Sequence, residues 1–226
     1  IQYLYNYDIL PGLKNRRCFE ESRHEIDVPA NIPLSVIFAD INGLKMTNDI
    51  FGHAAGDELI KKSSEILQQV CRQNDIIVHH GGDEFLMLLP KTTGENAKKV
   101  LSRIKSEFTA AQIEAIKCSI SLGLDTKEIP EQSLDEVMVN AENAMYKDKT
   151  MNRMGSNKDI IDAIIEKLHK RSPREKQHSE NVSELCFKMG AALHLTETEI
   201  SKLSRAAYLH DIGKIGISEQ ILNKDG

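Results

Sequence analysis

The sequence predicts an α+β domain, a sheet carrying helices in ferredoxin-like order, followed by an all-α segment. Three observations point there. Leu34-Ser-Val-Ile-Phe-Ala-Asp40 is a nearly continuous apolar run of strand length that ends on a carboxylate. Gly81-Gly82 stands between two more short apolar runs, Ile76–Val78 and Phe85–Leu89. Beyond residue 157 the patterned stretches all have helical period.

Taken in order, Gly12–Ile26 reads as a helix, which Pro29 and Pro33 stop. The Leu34 strand follows. Ala54–Arg72 places Leu59, Ile60, Ser63, Ile66, Leu67 and Val70 at helical spacing. The glycine pair then predicts a hairpin, because tight turns between twisted strands need positive φ. Glu95–Phe108 reads as a second amphipathic helix, Ile116–Leu124 alternates like a strand, and Leu134–Lys149 reads as a third helix. The order is β-α-β-β-α-β with extra helical pieces. Around Met151–Asn157 the pattern lapses into Asn, Gly, Ser and Lys, and a domain boundary is placed there, giving domains at 1–154 and 155–226. Helices are expected at Asp159–Lys170, Pro173–Leu193 and Glu197–His210. Pro173 suits a first turn, and Thr196 with Glu199 suits a capping box.

The net charge of −5 over 226 residues excludes bulk nucleic acid as partner. A single phosphorylated nucleotide is compatible with it, since a few placed Lys and Arg suffice. Cys18, Cys71, Cys118 and Cys186 form no C-x-x-C pair and read as buried thiols of a reducing compartment. The longest apolar run, Leu34–Ala39, is too short to cross a bilayer. No signal peptide is visible, and Ile1 reads as something other than the natural start, leaving room for an upstream membrane or sensory region. The expected location is cytoplasmic, alone or as the cytoplasmic part of a membrane-bound sensor.

Asp40 ends the first strand, and Asp83 and Glu84 follow the glycine pair, so neighbouring strands would bring all three carboxylates to one edge. Hard oxygen ligands suit Mg²⁺, and two such ions can clamp the oxygens of a phosphoryl transfer. A Gly-Gly-Asp turn alone is common, and its carboxylates are ordinarily just solvated.

Gly81-Gly82-Asp83-Glu84-Phe85 resembles the name-giving motif of the GGDEF family of diguanylate cyclases. Asp8-Ile-Leu-Pro-Gly-Leu-Lys-Asn-Arg-Arg17 resembles the family's opening motif. Asp40-Ile-Asn-Gly-Leu-Lys45, Asn48-Asp49, Gly52-His53 and Gly56-Asp57 resemble its second block, and Ala144–Lys149 with Arg153 its closing helix. The matches occupy the first two thirds of the chain in the right order.

The resemblance implies a GGDEF palm-like sheet that condenses two GTP into cyclic di-GMP and releases pyrophosphate. It implies two Mg²⁺ (or Mn²⁺) ions held by Asp40, Asp83, Glu84 and the Ile41 carbonyl, with Asp83 or Glu84 helping to activate the ribose 3′-hydroxyl. Asn48 and Asp57 would read guanine. Lys45, Lys149 and Arg153 would hold the triphosphate, with Gly81 and Gly82 admitting the nucleotide close to the backbone. Each domain holds one GTP, so an antiparallel homodimer is implied. Arg72-Gln-Asn-Asp75 resembles the family's inhibitory R-x-x-D site for product cyclic di-GMP, with Arg103 as an added arginine.

Pro11, His79, His80 and Asn152 depart from the family pattern, which commonly has Thr, Arg, an aromatic residue and Gly there. The two adjacent histidines are expected on opposite strand faces.

Leu209-His210-Asp211-Ile-Gly-Lys214 resembles HD-type phosphohydrolases of the HD-GYP subfamily, with His178 as the first histidine ligand and Lys214 at the phosphate. Iron or manganese is the metal this implies. The remaining ligands and the G-Y-P motif would lie beyond Gly226, so an N-terminal fragment of that domain is expected. The alternative implied reading is a GTP or cyclic di-GMP receptor module that regulates a phosphodiesterase.

Overall fold

The computed structural model describes residues 5–8, 10–113 and 116–224, and for 112–113, 116–117, 152–157 and 159–160 the backbone alone. It divides into two compact units, Ile1–Lys158 and Asp159–Gly226.

The first unit opens with β1 (Lys14–Asn15) and α1 (Arg16–Ile26). The helix starts later than the expected Gly12, because Gly12 sits at φ +67° and Asn15 caps the helix by accepting from the Cys18 amide. Strand β2 (Leu34–Ile41) is buried along its whole length, as its continuous apolar run requires. A helix not expected from the sequence, α2 (Leu44–Phe51), precedes α3 (His53–Val70), which is the helix expected over 54–72; Gly52 separates the two. The first of them escapes a reading by period because it is only two turns long.

Strands β3 (Ile76–Gly81) and β4 (Glu84–Leu89) form the hairpin expected from the glycine pair. Gly81 and Gly82 take φ +140° and +58°, conformations that L side chains rarely adopt. After α4 (Gly94–Ala110) comes an unexpected strand, β5 (Gln112–Ile113), and the stretch expected as one strand over 116–124 is divided between β6 (Ile116–Lys117), which pairs with β5 in a short hairpin, and β7 (Ile120–Lys127).

The sheet order is β1-β3-β4-β2-β7, with β1 parallel to β3 and the other pairs antiparallel. Without β1 this is the ferredoxin-like arrangement. Alternation along the strands feeds two cores. Ile37, Ala39, Phe85 and Met87 pack on one face with Leu59, Leu67, Ile104 and Phe108 of α3 and α4. Val36, Phe38, Leu86 and Leu88 pack on the other with Phe19 of α1 and with Leu134, Val137, Ala141 and Met145. Those last four belong to α5 (Leu134–Arg171).

Gly123 is why α5 can lie against β7. A Cβ there would stand 2.0 Å from the Ala141 carbonyl oxygen and 2.1 Å from the Met145 nitrogen. Asp148 of α5 locks the contact, accepting from the Leu122 amide at 2.9 Å and from Lys105 Nζ at 2.9 Å.

The lapse expected around 151–157 is not a loop: the backbone stays helical from Leu134 to Arg171. Asn, Ser and Gly each cost a helix at most about 1 kcal/mol, which well-formed turns on both sides outweigh. In the second unit, α6 (Pro173–Ala192) pairs with α7 (Glu197–Leu209), followed by a 3₁₀ turn at Ile212–Gly216 and by α8 (Glu219–Leu222). Pro173 occupies the first turn of α6, and Thr196 and Glu199 close the expected capping box. Ile165, Leu168 and Leu222 form the small core of this unit. The four cysteines carry free thiols, of which only Cys118 is fully buried. Among the described residues no helix is long and apolar enough to cross a membrane.

Candidate functional site

Antiparallel pairing of β2 with β4 places Asp40 directly opposite Glu84, and the Ile41 amide donates to the Asp83 carbonyl oxygen at 2.9 Å. The end of β2 and the hairpin turn are therefore tied by the backbone. A second network fixes the turn after β2. The Asn42 amide side chain donates to Ser119 Oγ at 3.0 Å and accepts from Ser121 Oγ at 2.9 Å.

Asp40 is 1% exposed. Its Oδ2 accepts from Lys149 Nζ at 2.5 Å, and its Oδ1 is buried with no hydrogen-bond partner among the described atoms. Burial pushes its carboxyl up to about 6. The Lys149 hydrogen bond opposes that shift, and the nearby charges of Asp83 and Glu84 add to it. Partial burial works against the Lys149 charge, but Asp40, Asp83 and Glu84 together more than offset this and hold the amine above its ordinary value. Lys149 Nζ lies 3.9 Å from Asp83 Oδ2. Glu84 turns toward His80, whose Nδ1 is 3.6 Å away, an ion pair only when the ring is protonated.

The three carboxylates thus share an edge, but their ligand oxygens do not gather within 4.8 Å of one another. Among the described residues the one such cluster is His178, His210 and Asp211. Asp40 and Glu84 each engage a different side chain. An orphaned, buried carboxylate oxygen beside two more carboxylates is nonetheless a donor set that suits a hard divalent cation.

The buried Asp40 predicts a pH dependence. An acid whose folded value (about 6) exceeds its ordinary one (3.8) is held protonated by the fold. The contribution is nil below both values, and stability is lost as pH rises through that window, by up to ~3 kcal/mol. Urea unfolding of the metal-free chain should show this loss between about pH 4 and 6 relative to Asp40→Asn. Saturating Mg²⁺ should abolish it, because a cation favours the ionised form. Parallel stability curves for the two chains would refute the account.

Asn48 of α2 is half-buried, and Asp57 of α3 is exposed. Gly56, the neighbour of Asp57 in the chain, lies against Asn48: a Cβ there would stand 1.9 Å from Asn48 Oδ1. Lys45 is exposed in the first turn of α2. The Arg153 side chain lies outside the described residues, as does that of Asn152.

Arg72 and Asp75 form a closed turn, in which Asp75 Oδ2 accepts from the Arg72 amide at 2.7 Å. Both residues line a cleft of 680 Å³ together with Lys14, Glu25 and Lys91. Arg103 lies within electrostatic reach of the same end of α3. Burial pushes the Cys71 thiol up to about 12, with Asp75 adding to the shift and Arg103 opposing it.

The two adjacent histidines do take opposite faces. His79 contacts Phe85 and His80 contacts Phe38, and these rings belong to different cores.

In the second unit, His178 Nε2 lies 3.2 Å from His210 Nε2 and 3.5 Å from Asp211 Oδ2, and His210 Nε2 lies 3.0 Å from that oxygen. His210 Nδ1 is 2.7 Å from the Ala207 carbonyl oxygen, which orients Nε2 as the free lone pair of the neutral ring. Lys214 Nζ bridges Asp211 and Glu175, each at 2.8 Å. Its hydrogen bond, with the flanking charges of Lys214 and both histidines, holds the Asp211 carboxyl below its ordinary value against partial burial. This grouping brings together all four residues expected from the sequence. Two imidazole nitrogens and a carboxylate at these separations are a donor set that fits a transition metal.

Sequence reading missed the Asn42–Ser119–Ser121 network, Asp148 and the pairing of His80 with Glu84. Each depends on a tertiary contact, and none leaves a periodic or local signal.

Residues 176–226 match the HD domain model. Diguanylate cyclase DgcM of Escherichia coli is 27% identical over 161 residues, 68% of this chain and 38% of that protein. Bifunctional diguanylate cyclase/cyclic di-GMP phosphodiesterase MucR of Pseudomonas aeruginosa is 34% identical over 156 residues, 66% of this chain. The chain spans only 23% of MucR's length. The coiled coil and GGDEF domain of DgcB from Caulobacter crescentus, solved in complex with c-di-GMP, has the same fold. Its TM-score is 0.63 at 23% identity, over 67% of this chain and 84% of that one. Residues 5–155 match the model of the diguanylate cyclase GGDEF domain, and the chain belongs to that family.

Proposed function

We propose that residues 1–154 form a diguanylate cyclase module that joins two GTP into cyclic di-GMP and releases two pyrophosphates. The observation that carries this reading is the edge where Asp40 faces Glu84 across the strand pair, with one Asp40 oxygen buried and unpartnered. Asp40, the Ile41 carbonyl, Asp83 and Glu84 would hold two Mg²⁺ or Mn²⁺ ions. When bound, such ions neutralise triphosphate charge and favour the 3′-alkoxide.

The chain's own groups do the rest. Asp83 or Glu84 accepts the 3′-hydroxyl proton. Lys149, with Lys45 and Arg153, donates charge-assisted hydrogen bonds to the phosphates. Asp57 accepts from guanine N1–H and N2–H, and the Asn48 amide pairs with the guanine edge. Gly81 and Gly82 leave room for the nucleotide at the turn. Because each module binds one GTP, two copies must face each other, and their alignment supplies much of the rate.

Arg72, Asp75 and Arg103 supply a separate site for the product. The Arg72 guanidinium suits a phosphate or a guanine face, and Asp75 a guanine edge. A progress curve with GTP and Mg²⁺ tests both parts. The parent chain should make cyclic di-GMP and then slow as product accumulates. Arg72→Ala should keep the initial rate and lose the slowing. An Arg72→Ala chain that binds cyclic di-GMP as tightly as the parent would remove this site from the account.

The second unit favours a further reading for the protein as a whole. His178, His210, Asp211 and Lys214 would hold iron or manganese and a phosphate, as a phosphohydrolase acting on cyclic di-GMP needs. On that reading the first unit is a nucleotide-responsive regulator. A parent chain that binds cyclic di-GMP yet leaves GTP unchanged would select it.

A further inference from the structure

His79 lies outside the carboxylate site, yet it touches the turn that carries it. Its side chain is 7% exposed, with Nδ1 2.6 Å from Asp8 Oδ2 and Nε2 3.1 Å from the Gly82 carbonyl oxygen. Both neighbours are acceptors. A neutral imidazole carries one N–H and can satisfy only one of them, whereas the imidazolium carries two and satisfies both.

The two ends of this bridge differ in freedom. Asp8 belongs to a turn fixed several times over. Its amide donates to the Leu13 carbonyl at 2.9 Å, its carbonyl accepts from the Gly12 amide at 3.0 Å, and the Pro11 carbonyl accepts from Ser64 Oγ at 2.9 Å. Gly82 sits at the tip of the hairpin, at φ +58°, immediately before Asp83 and Glu84. The pairing shifts register between His79 and Gly81 and resumes at Gly81–Glu84, and the Ile41 amide holds the Asp83 carbonyl oxygen, so the Gly82 carbonyl at the tip is the part of the turn that, among the described residues, His79 alone engages from the Asp8 side.

The groups around the ring leave Asp8 as the charged partner within hydrogen-bonding reach among the described residues. Phe85 of β4 offers a ring at 5.1 Å, and Asn15 of β1, uncharged, stands opposite in register. Lys14 lines the cleft beside Arg72. His80 and Glu84 meet each other, with the His80 ring against Phe38 in the other core.

We propose that His79 is a positioning residue, which ties the Gly81-Gly82 turn to the Asp8 turn when its ring carries two protons and releases it when the ring carries one. The consequence for rate rests on the cyclase reading. The carboxylates would be best placed on the acid side of the ring's titration, and activity would fall as pH rises through it. An arginine would keep the charge at every pH.

Nitrogen NMR of the metal-free, ligand-free parent chain tests the latch without any variant. The His79 ring should pass from two protons to one, and the Gly82 and Asp83 amide signals should move with the same midpoint. A ring that stays singly protonated from pH 5 to 8, or turn amides that do not follow it, would overturn the proposal. Cyclic di-GMP formation supplies the second arm. The ratio of parent to His79→Arg rate should fall several-fold across the ring's midpoint, and a flat ratio would overturn it. If no chain makes product at any pH, the cyclase reading fails, and the NMR titration still decides whether the latch exists.

Discussion

Glu84→Gln is expected to cut cyclic di-GMP formation by about a hundredfold or more while leaving the chain folded. The substitution keeps size and shape but removes one negative charge from the group proposed to hold the metals and to take up the 3′-hydroxyl proton. Losing even an outer partner of a metal site typically costs ~10- to 100-fold, and a direct ligand costs more. The fold has little at stake. Glu84 is partly exposed, and its one described ion pair is with His80 at 3.6 Å. A partly buried, 3.6 Å pair that is charged only when the histidine is protonated contributes on the order of 0–1 kcal/mol. Mg²⁺ affinity, read by calorimetry, should weaken in parallel with rate. A Glu84→Gln chain with parental turnover would contradict the site.

GTP should bind about a hundredfold more tightly than ATP, and Asp57→Ala should erase most of the difference. Guanine presents two donors to the Asp57 carboxylate, whereas adenine presents an acceptor at N1, so the carboxylate faces a lone pair. Fully desolvated polar sites reject the wrong partner by ~10⁴. Asp57 is exposed and Asn48 only half-buried, so the smaller factor is the right expectation here. Two hydrogen bonds to a charged group amount to roughly 3–6 kcal/mol when desolvated, and exposure of Asp57 lowers this towards the ~3 kcal/mol of a hundredfold difference. Gly56→Ala gives an independent check. The new methyl would stand 1.9 Å from Asn48 Oδ1, the far end of a flexible side chain, so Asn48 must swing away rather than the helix break. Base selectivity should drop with folding stability unchanged or slightly raised. Equal affinities for GTP and ATP in the parent would sink the base-reading role.

The fold was legible where the chain's own chemistry is local. The apolar run of β2 and the glycine pair at 81–82 specify a buried strand and a tight hairpin, and their order yields the observed sheet. The helix α2 and the β5–β6 hairpin are too short to show a period, so neither is legible in the sequence. The helical continuity across 151–157 was missed for the opposite reason: weak local propensity there is overridden by the turns that flank it. At the site, Asp40, Asp83, Glu84 and Lys149 were named before any geometry, and the structure brings Lys149 to Asp40 and Asp83. The shared edge of the three carboxylates follows from the strand order that the sequence predicts. Shared edges follow from strand pairing, but side-chain direction follows from the partners each carboxylate finds, here Lys149 and His80. The bond from His79 to Asp8 spans 71 positions, and no spacing rule reaches that far.

The central claim is that two copies, each carrying one GTP, join them at this edge. The most direct test is to incubate the purified chain with GTP and Mg²⁺ over a range of chain concentrations and to quantify both products. The account predicts one cyclic di-GMP for every two pyrophosphates, with a rate per chain that rises with concentration until the pairs are saturated. A chain that binds GTP but yields neither product at any concentration would contradict it.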